Sequence, residues 1–527
     1  MIIMNSERAT SKNFVFLPIF LGISAIFLVV SLLMLWRYYF ILPDSTYLLA
    51  LGKNIVTGKG LTIGGGAHFR YPPAYGAVSG LVYLLIGNLE AAAHIVSLLS
   101  GLGAIITVYY YTSNSYNRPT GLIASGLVAV NPLFCRISSA ALGESFYALG
   151  YAAFILVLFK LLKKPNWWLA LIAGIIASIV YLARAEGFLV LPLGFIVLLI
   201  VWWRGKHGFR LIALSLAMLV IGWMLLGFPY LLFLKQNLGG WALSGKITQN
   251  VERVSEAIYT GDIESTRDIP LAEYKSPGLI PYFVQNFPRV LERYIFFSWQ
   301  ALKMVLLKAL PVVVLFIWFS ILAIRNDPGK AWFYIAMASP LIVYPIAHIE
   351  TRYITPYFIA FAPVIAWGIN LAWETGERRN RKFKIRQAIV VLTFAMMLLG
   401  CAWEIRTTMQ PPYEHRILAD WMAENLPDAR TARISSRFGY TNFYLDNENF
   451  RYLPKADSLE ESIDIAREKH VAYLIVDERL TAEVRPTLES LLNPANAPDD
   501  LELVVKLAPP DVPFAILLYR LKPAEND

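Results

Sequence analysis

The sequence predicts a polytopic α-helical membrane protein that ends in a small α/β domain. Three observations predict it. Of the 527 residues, 57% are apolar and only 16% are charged, against about 25% charged in ordinary soluble domains. Apolar stretches of about 17 to 25 residues, long enough to cross about 30 Å of hydrocarbon, recur from residue 13 to residue 406. After residue 407, short strand-like runs alternate with amphipathic helical patterns, as in an α/β unit.

Taken in order, the predicted spans are 13–36, 91–112, 120–137, 143–162, 167–183, 187–203, 211–234, 303–324, 331–347, 354–373 and 387–405, eleven in all. The first is longer than a signal-peptide core and lacks a small-residue cleavage site, so it reads as a retained span. The apolar piece 74–87, between Pro72-Pro73 and Gly87-Asn88, is too short to cross and reads as an interfacial or re-entrant helix. Placement of positive charge supports that choice. Without 74–87 as a span, the connectors holding Arg118, Lys160, Lys163, Lys164, Arg204, Lys206, Arg210, Arg325, Lys330 and the run "ERRNRKFKIR" at 377–386 all fall on the N-terminal side. The positive-inside rule makes that side cytoplasmic.

The outer segments are then 37–90, 138–142, 184–186, 235–302, 348–353 and 406–527. This divides the chain into a membrane domain, 1–406, with outer loops 37–90 and 235–302, and an extracytoplasmic domain, 407–527. The net charge of +9 resides in short connectors, which speaks to orientation and not to a nucleic-acid partner. Cys135 and Cys401 lie in apolar segments without metal-ligand spacing, so no disulfide framework or zinc site is implied.

In the tail, "YEHRILADWMAENLP" is helical by period, while "TARISS", "VAYLIVD", "LELVVKL" and "FAILLYRL" read as strands. "SLEESIDIAREKH" and "RPTLESLLN" read as amphipathic helices with Ser or Pro near their starts. The alternation predicts a parallel sheet. No glycine-rich phosphate loop is present, so the tail is assigned covering or binding, not chemistry.

The residues with chemical potential gather in the outer segments. Asp44 follows the first span in "ILPDSTYLLALGKNIV"; Pro43-Asp44-Ser45-Thr46 is N-cap chemistry for a helix over 46–56 that would lie in the interface. The same carboxylate at the mouth of a cavity could serve as a general base. Glu144 begins the fourth span, where the helix dipole favours an acid, and ionisable groups at membrane depth usually face a cavity. "YLARAEGFLVLP" sets Arg184 and Glu186 in a tight outer turn that would hold them beside Glu144. "HFRYPP" adds His68 and Arg70, "WALSGKITQN" adds Lys246, and "AHIETRYITP" adds His348, Glu350, Arg352 and Tyr353. A helix-end Arg can simply snorkel. Several cations sharing a face with carboxylates suit a phosphate.

This order of features resembles the GT-C fold glycosyltransferases that use polyprenyl-phosphate sugars, the group of protein O-mannosyltransferases and aminoarabinose transferases. The likeness rests on an acid in the first outer loop followed by an amphipathic helix, on "RYPPAYG", and on "ARAEG", "LSGK" and "ETRYITPYFIAFAP". It covers about residues 13–405, more loosely the tail. It implies Asp44 as the catalytic acid of the first loop. Many relatives carry Asp-Glu there, whereas this chain has Asp44-Ser45, so a second acid would be Glu144; Ala185 stands where proline is expected. A divalent ion, if one is used, would sit on Asp44 and Glu144; no other cofactor is implied.

The resemblance and the residues together imply inverting transfer of a sugar to a hydroxyl of a protein, lipid or glycan on the outer face. A sugar leaving as a lipid phosphate needs cations, not the protonating acid that a glycosidase supplies. Asp44 would deprotonate the acceptor; Arg352, Lys246 and Arg184 would hold the phosphate, with Arg70 and His348 nearby, and Glu144, Glu186 and Tyr353 would bind substrate. A transporter or flippase of lipid-linked sugars is the alternative, but no internal repeat or midplane polar cluster of the kind transporters show is visible. A non-enzymatic scaffold is the third reading.

Overall fold

The computed structural model describes residues 3–523 apart from 38, 40, 206–207, 261–278, 348, 375–381, 408–410, 455, 480 and 482–484. Its first helices are α1 (Ile3–Arg37), α2 (Pro43–Val56), α3 (Ala74–Ile86), α4 (Leu89–Ser115), α5 (Arg118–Ala129), α6 (Pro132–Ser139), α7 (Glu144–Lys163) and α8 (Trp167–Ala183). They are followed by α9 (Val190–Trp203), α10 (Phe209–Leu238), α11 (Gly245–Gln249), α12 (Ser255–Thr260), α13 (Leu279–Gln285), α14 (Phe287–Asn326) and α15 (Pro328–Met337). Then come α16 (Thr351–Ile354), α17 (Phe358–Glu374), α18 (Lys382–Thr407), α19 (Tyr413–Asn425), α20 (Tyr440–Tyr444) and α21 (Leu459–Glu468).

Among the described residues seven helices are long and apolar enough to cross a membrane, or up to nine if each of two bent pairs is one span. The predicted count of eleven is not confirmed. Predicted span 167–183 is the 17-residue α8. Predicted span 331–347 is divided between the ten-residue α15 and a 3₁₀ helix, Ser339–Ile346. Pro340 and Pro345 explain the division, since each removes a backbone donor that a continuous α-helix needs. α5 and α6 meet at 63°, where the Asn131 side chain accepts from the Phe134 N–H and starts a new helix. α3 has 13 residues, in keeping with a helix that does not cross.

Buried tyrosines run through the bundle, and several of them find hydrogen-bond partners for their hydroxyls. Tyr147 and Tyr357 pair hydroxyl to hydroxyl at 2.6 Å, and Tyr111 donates to the Ile359 carbonyl at 2.5 Å.

The two helices behind the first span pack backbone against backbone. A Cβ placed on Gly52 would lie 2.0 Å from the Gly76 carbonyl oxygen; one on Gly76 would lie 2.3 Å from that of Leu48, and one on Gly80 2.5 Å from that of Gly52. Gly76 and Gly80 thus form a small-residue face, spaced by four, on which α2 rests. No larger side chain fits.

The tail forms a five-stranded sheet. Hairpin strands β1 (Thr62–Ile63) and β2 (Gly66–Ala67) precede it in the chain; its own strands are β3 (Ile434–Ser436), β4 (Phe450–Tyr452), β5 (Tyr473–Asp477), β6 (Leu501–Leu507) and β7 (Ile516–Leu521), in the order β4-β3-β5-β7-β6. The expectation of a parallel sheet is corrected: β4, β3 and β5 are parallel, but β7 is antiparallel to both β5 and β6. The connection 508–515 is too short for a crossover, which needs a dozen or more residues. "RPTLESLLN" is a 3₁₀ helix, Pro486–Leu492, and β4 went unread in the sequence. Strand alternation works as the period requires. Tyr473, Ile475, Ile516 and Leu518 face α19, while Leu474, Val476, Leu517 and Tyr519 face α21 and the 3₁₀ turn, so both faces are covered.

This layer sits on α2 and α4. Lys53 pairs with Asp446 at 2.5 Å, Lys59 with Glu448 at 3.2 Å, and the Tyr47 and Tyr452 hydroxyls meet at 2.7 Å.

Gly52→Ala and Gly76→Ala are each expected to lower stability by about 1–3 kcal/mol through overpacking. Gly22→Ala, at a position with no heavy atom within 4 Å of its added Cβ, is expected to leave stability unchanged. Thermal unfolding of the purified full chain in detergent checks both.

Candidate active site

A cavity of about 270 Å³ lies where the start of α2, the 70–72 loop, the start of α7, the turn after α8, α11 and the Ser339–Ile346 helix meet. Its placement of Asp44 corrects the N-cap reading. Leu42 is the cap residue and Pro43 opens the helix, as the fixed φ of proline favours. Capping falls to Ser45, whose hydroxyl accepts from the Leu42 N–H at 3.0 Å and donates to the Ala141 carbonyl at 2.8 Å. The Asp44 carboxylate is left for the cavity.

There it accepts from the Tyr71 hydroxyl at 2.6 Å and pairs with Lys246 Nζ at 3.3 Å and Arg352 Nη2 at 3.2 Å. Lys246 is held by the N-cap of α11, where Ser244 Oγ accepts from the Lys246 and Ile247 N–H groups, and its ammonium lies 4.5 Å over the Tyr71 ring. Arg352 reaches back to Glu350 at 2.6 Å and across to Glu144 at 4.0 Å.

Glu144, the first residue of α7, is 3% exposed and pairs with Arg184 at 2.6 Å. Arg184 ends α8 and also binds Glu186 through Nε. Gly187 makes this turn possible, since a Cβ there would lie 2.4 Å from the Val180 carbonyl oxygen. The Tyr344 hydroxyl donates to Glu186 at 2.9 Å. Tyr353 lines the same space, with Arg184 and Arg352 4.8 and 5.2 Å from its ring centre. Arg70 lines it too, 5.6 Å from the Tyr71 ring centre, and its Nε has no partner among the described residues.

Asp44, Arg70, Glu144, Arg184, Glu186, Lys246, Arg352 and Tyr353, all singled out from sequence, therefore come together around one cavity. His348 lies outside the described residues. His68 is corrected: it clusters with the Tyr47 and Tyr71 rings, and burial, then the charge of Arg70, hold its pKa down to about 3, so it is a neutral ring and not a cation. Sequence reasoning passed over Tyr71, although it adjoins Arg70, and Tyr344, which lies inside an apolar stretch.

Charge at the cavity is matched. Asp44, Glu144 and Glu186 line it with Arg70, Arg184 and Lys246, and the Arg352–Glu350 pair lies beside them. Burial works to raise the Asp44 pKa, but Lys246, Arg352, the Tyr71 hydrogen bond and Arg70 outweigh it and hold the carboxyl far below the usual range. A depressed carboxylate pKa contributes stability above the ordinary value of 3.8, and that contribution is lost only as pH falls toward the folded value. Burial lowers the Lys246 pKa, Asp44 opposes this, and Arg70, Arg352 and Arg184 add to the lowering.

Asp44 and Glu144 share the Arg352 guanidinium. Among the described residues no group of three or more His, Cys, Asp or Glu side chains is placed to hold a metal. In this arrangement both carboxylates are paired with cations, and no step is routed through a divalent ion.

Comparison with known proteins agrees with this architecture. The family described as dolichyl-phosphate-mannose-protein mannosyltransferase matches residues 70–224. The oligosaccharyltransferase of Archaeoglobus fulgidus in the apo form superposes with a TM-score of 0.62 at 13% identity, over 88% of this chain and 69% of that one. The same archaeal enzyme in complex with an inhibitory peptide and a dolichol-phosphate gives 0.55 at 12% identity, over 90% and 70%. ArnT from Cupriavidus metallidurans bound to undecaprenyl phosphate gives 0.57 at 13% identity, over 94% and 97%. No curated protein matches the chain. At these identities the superpositions establish the GT-C fold, and with the family match they indicate a membrane glycosyltransferase.

Arg184→Ala is expected to strand two carboxylates, one of them 3% exposed, and to destabilise the fold by about 3–5 kcal/mol, as breaking a buried pair does. Adding Glu144→Gln and Glu186→Gln should restore most of the loss. Unfolding midpoints of the single and triple variants check this.

Proposed function

We propose that the chain moves a sugar from a polyprenyl-phosphate carrier to an acceptor hydroxyl, with inversion at the anomeric carbon and Asp44 as general base. The observation that carries this reading is one ionised carboxylate held against two cations, Lys246 and Arg352, at the wall of a cavity. Dolichol-phosphate on the archaeal neighbour and undecaprenyl phosphate on ArnT support a lipid-phosphate donor.

The donor phosphate brings negative charge into a cavity whose charges are already paired. It binds by drawing Lys246 and Arg352 toward itself, with Arg184 and Arg70 on the flanks. Asp44 then loses the partners that suppress its basicity. The acceptor oxygen attacks the anomeric carbon from the face opposite the phosphate, its proton passes to Asp44, and the bond from the anomeric carbon to the phosphate oxygen breaks with the electron pair leaving on phosphate. Once drawn to the donor, the cations are in place to stabilise the charge that develops on the leaving phosphate. Glu144 and Glu186 orient sugar or acceptor hydroxyls, and Tyr353 offers a ring face to the sugar. α2 forms one wall of the cavity, with α3 packed against that helix, and the lipid tail passes between spans. In this reading the reaction runs on the outer face of the cell membrane, the N-terminus is cytoplasmic, and residues 407–527 lie outside.

Asp44→Asn is expected to lower transfer by about 10²–10⁴-fold, the usual weight of a general base, while leaving binding of the lipid phosphate intact. Lys246→Ala is expected to weaken donor binding by about 10- to 100-fold, the worth of a charge-assisted hydrogen bond. Proteoliposome assays with a labelled polyprenyl-phosphate sugar read both; near-normal transfer by a well-folded Asp44→Asn overturns the assignment. The acid limb of kcat, which reports the donor-bound enzyme, is expected at higher pH than that of kcat/KM, because the donor removes the charges that depress Asp44.

A further inference from the structure

A second cavity, of about 320 Å³, lies on the other side of α2, between that helix, the ends of α3 and α4, and α20 with the loop that follows it. Thr46, Tyr47, Ala50 and Lys53 of α2 line it, whereas Asp44 and Leu48 line the first cavity. The Tyr47, His68 and Tyr71 rings stack between the two.

Three features of this cavity point to one ligand class. First, Asn442, 3% exposed, is among the lining residues, and neither its carboxamide oxygen nor its nitrogen has a hydrogen-bond partner among the described residues. A buried carboxamide with both functions unused needs a partner that donates and accepts at adjacent atoms. Second, the ionic groups are already matched: Lys53 with Asp446 at 2.5 Å and Arg416 with Glu90 at 3.7 Å, the latter also accepting from the Tyr444 hydroxyl at 3.0 Å. Glu448 is paired as well, with Lys59 at 3.2 Å, so no cation is left over for an anion. Third, Tyr47, Tyr83, Phe443, Tyr444 and Phe450 contribute rings, whose negative faces receive polarised C–H groups.

Neighbouring hydroxyls that donate and accept, no net charge, and a ring of C–H bonds describe a sugar. We infer that the cavity between α2 and α20 binds a neutral saccharide at a site separate from the charged cavity, with Asn442 holding a pair of adjacent hydroxyls. Binding here does not need the transfer reaction, so either reading can fail without the other.

Saturation-transfer difference NMR tests it on the full chain in lipid nanodiscs, with neutral trisaccharides of glucose, mannose and galactose as probes. Undecaprenyl phosphate is present in excess to occupy the first cavity. Saturation transfer to at least one trisaccharide is expected, reduced about fivefold or more in Asn442→Leu and in Tyr83→Leu and unchanged in Arg352→Ala, with each variant's unfolding midpoint confirming its fold. No transfer to any of the three, transfer unaffected by both Asn442→Leu and Tyr83→Leu, or transfer abolished in Arg352→Ala overturns the inference.

Discussion

One guanidinium carries the arrangement of the candidate site. Arg352 touches Asp44 and Glu144, carboxylates contributed by helices that begin a hundred residues apart in the chain, and Arg184 continues the chain of pairs to Glu186. In a low-dielectric cavity an ion without a partner is costly, and the cost grows with depth. The bundle can therefore close around these groups only in an arrangement that matches all of them. Pairing fixes position, and position is what the proposed chemistry uses.

Much of this was legible because the chain is so apolar. In a membrane segment an ionisable residue is rare and expensive, so Asp44, Glu144, Arg184 and Arg352 stand out against their neighbours. Tyr71 and Tyr344 did not: 28 tyrosines are spread through the sequence, and nothing local separates one that bonds a carboxylate from one that fills the core. Pro340 and Pro345 did announce the broken helix, but an apolar stretch of spanning length masked them. Strand direction was also readable, since eight residues between β6 and β7 cannot make a parallel crossover; the alternation of strands with helices outvoted that count. The spacing of Gly76 and Gly80 was equally visible and carried no meaning until the α2 backbone was found against it.

His68 shows the opposite error. A histidine two residues before an arginine suggests a basic cluster, yet the ring is used as a ring, packed against two tyrosines where a proton would be desolvated and repelled. Side-chain type gives the repertoire; surroundings choose from it.

The bare seam between α2 and α3 has a mechanical consequence. Gly52, Gly76 and Gly80 let the two backbones meet directly, so α2 stands at a closeness to α3 that any side chain in the seam would prevent. That helix carries a carboxylate on its front and part of a docking wall on its back. A side chain added in the seam would therefore displace a wall of both cavities at once, because one helix supplies them.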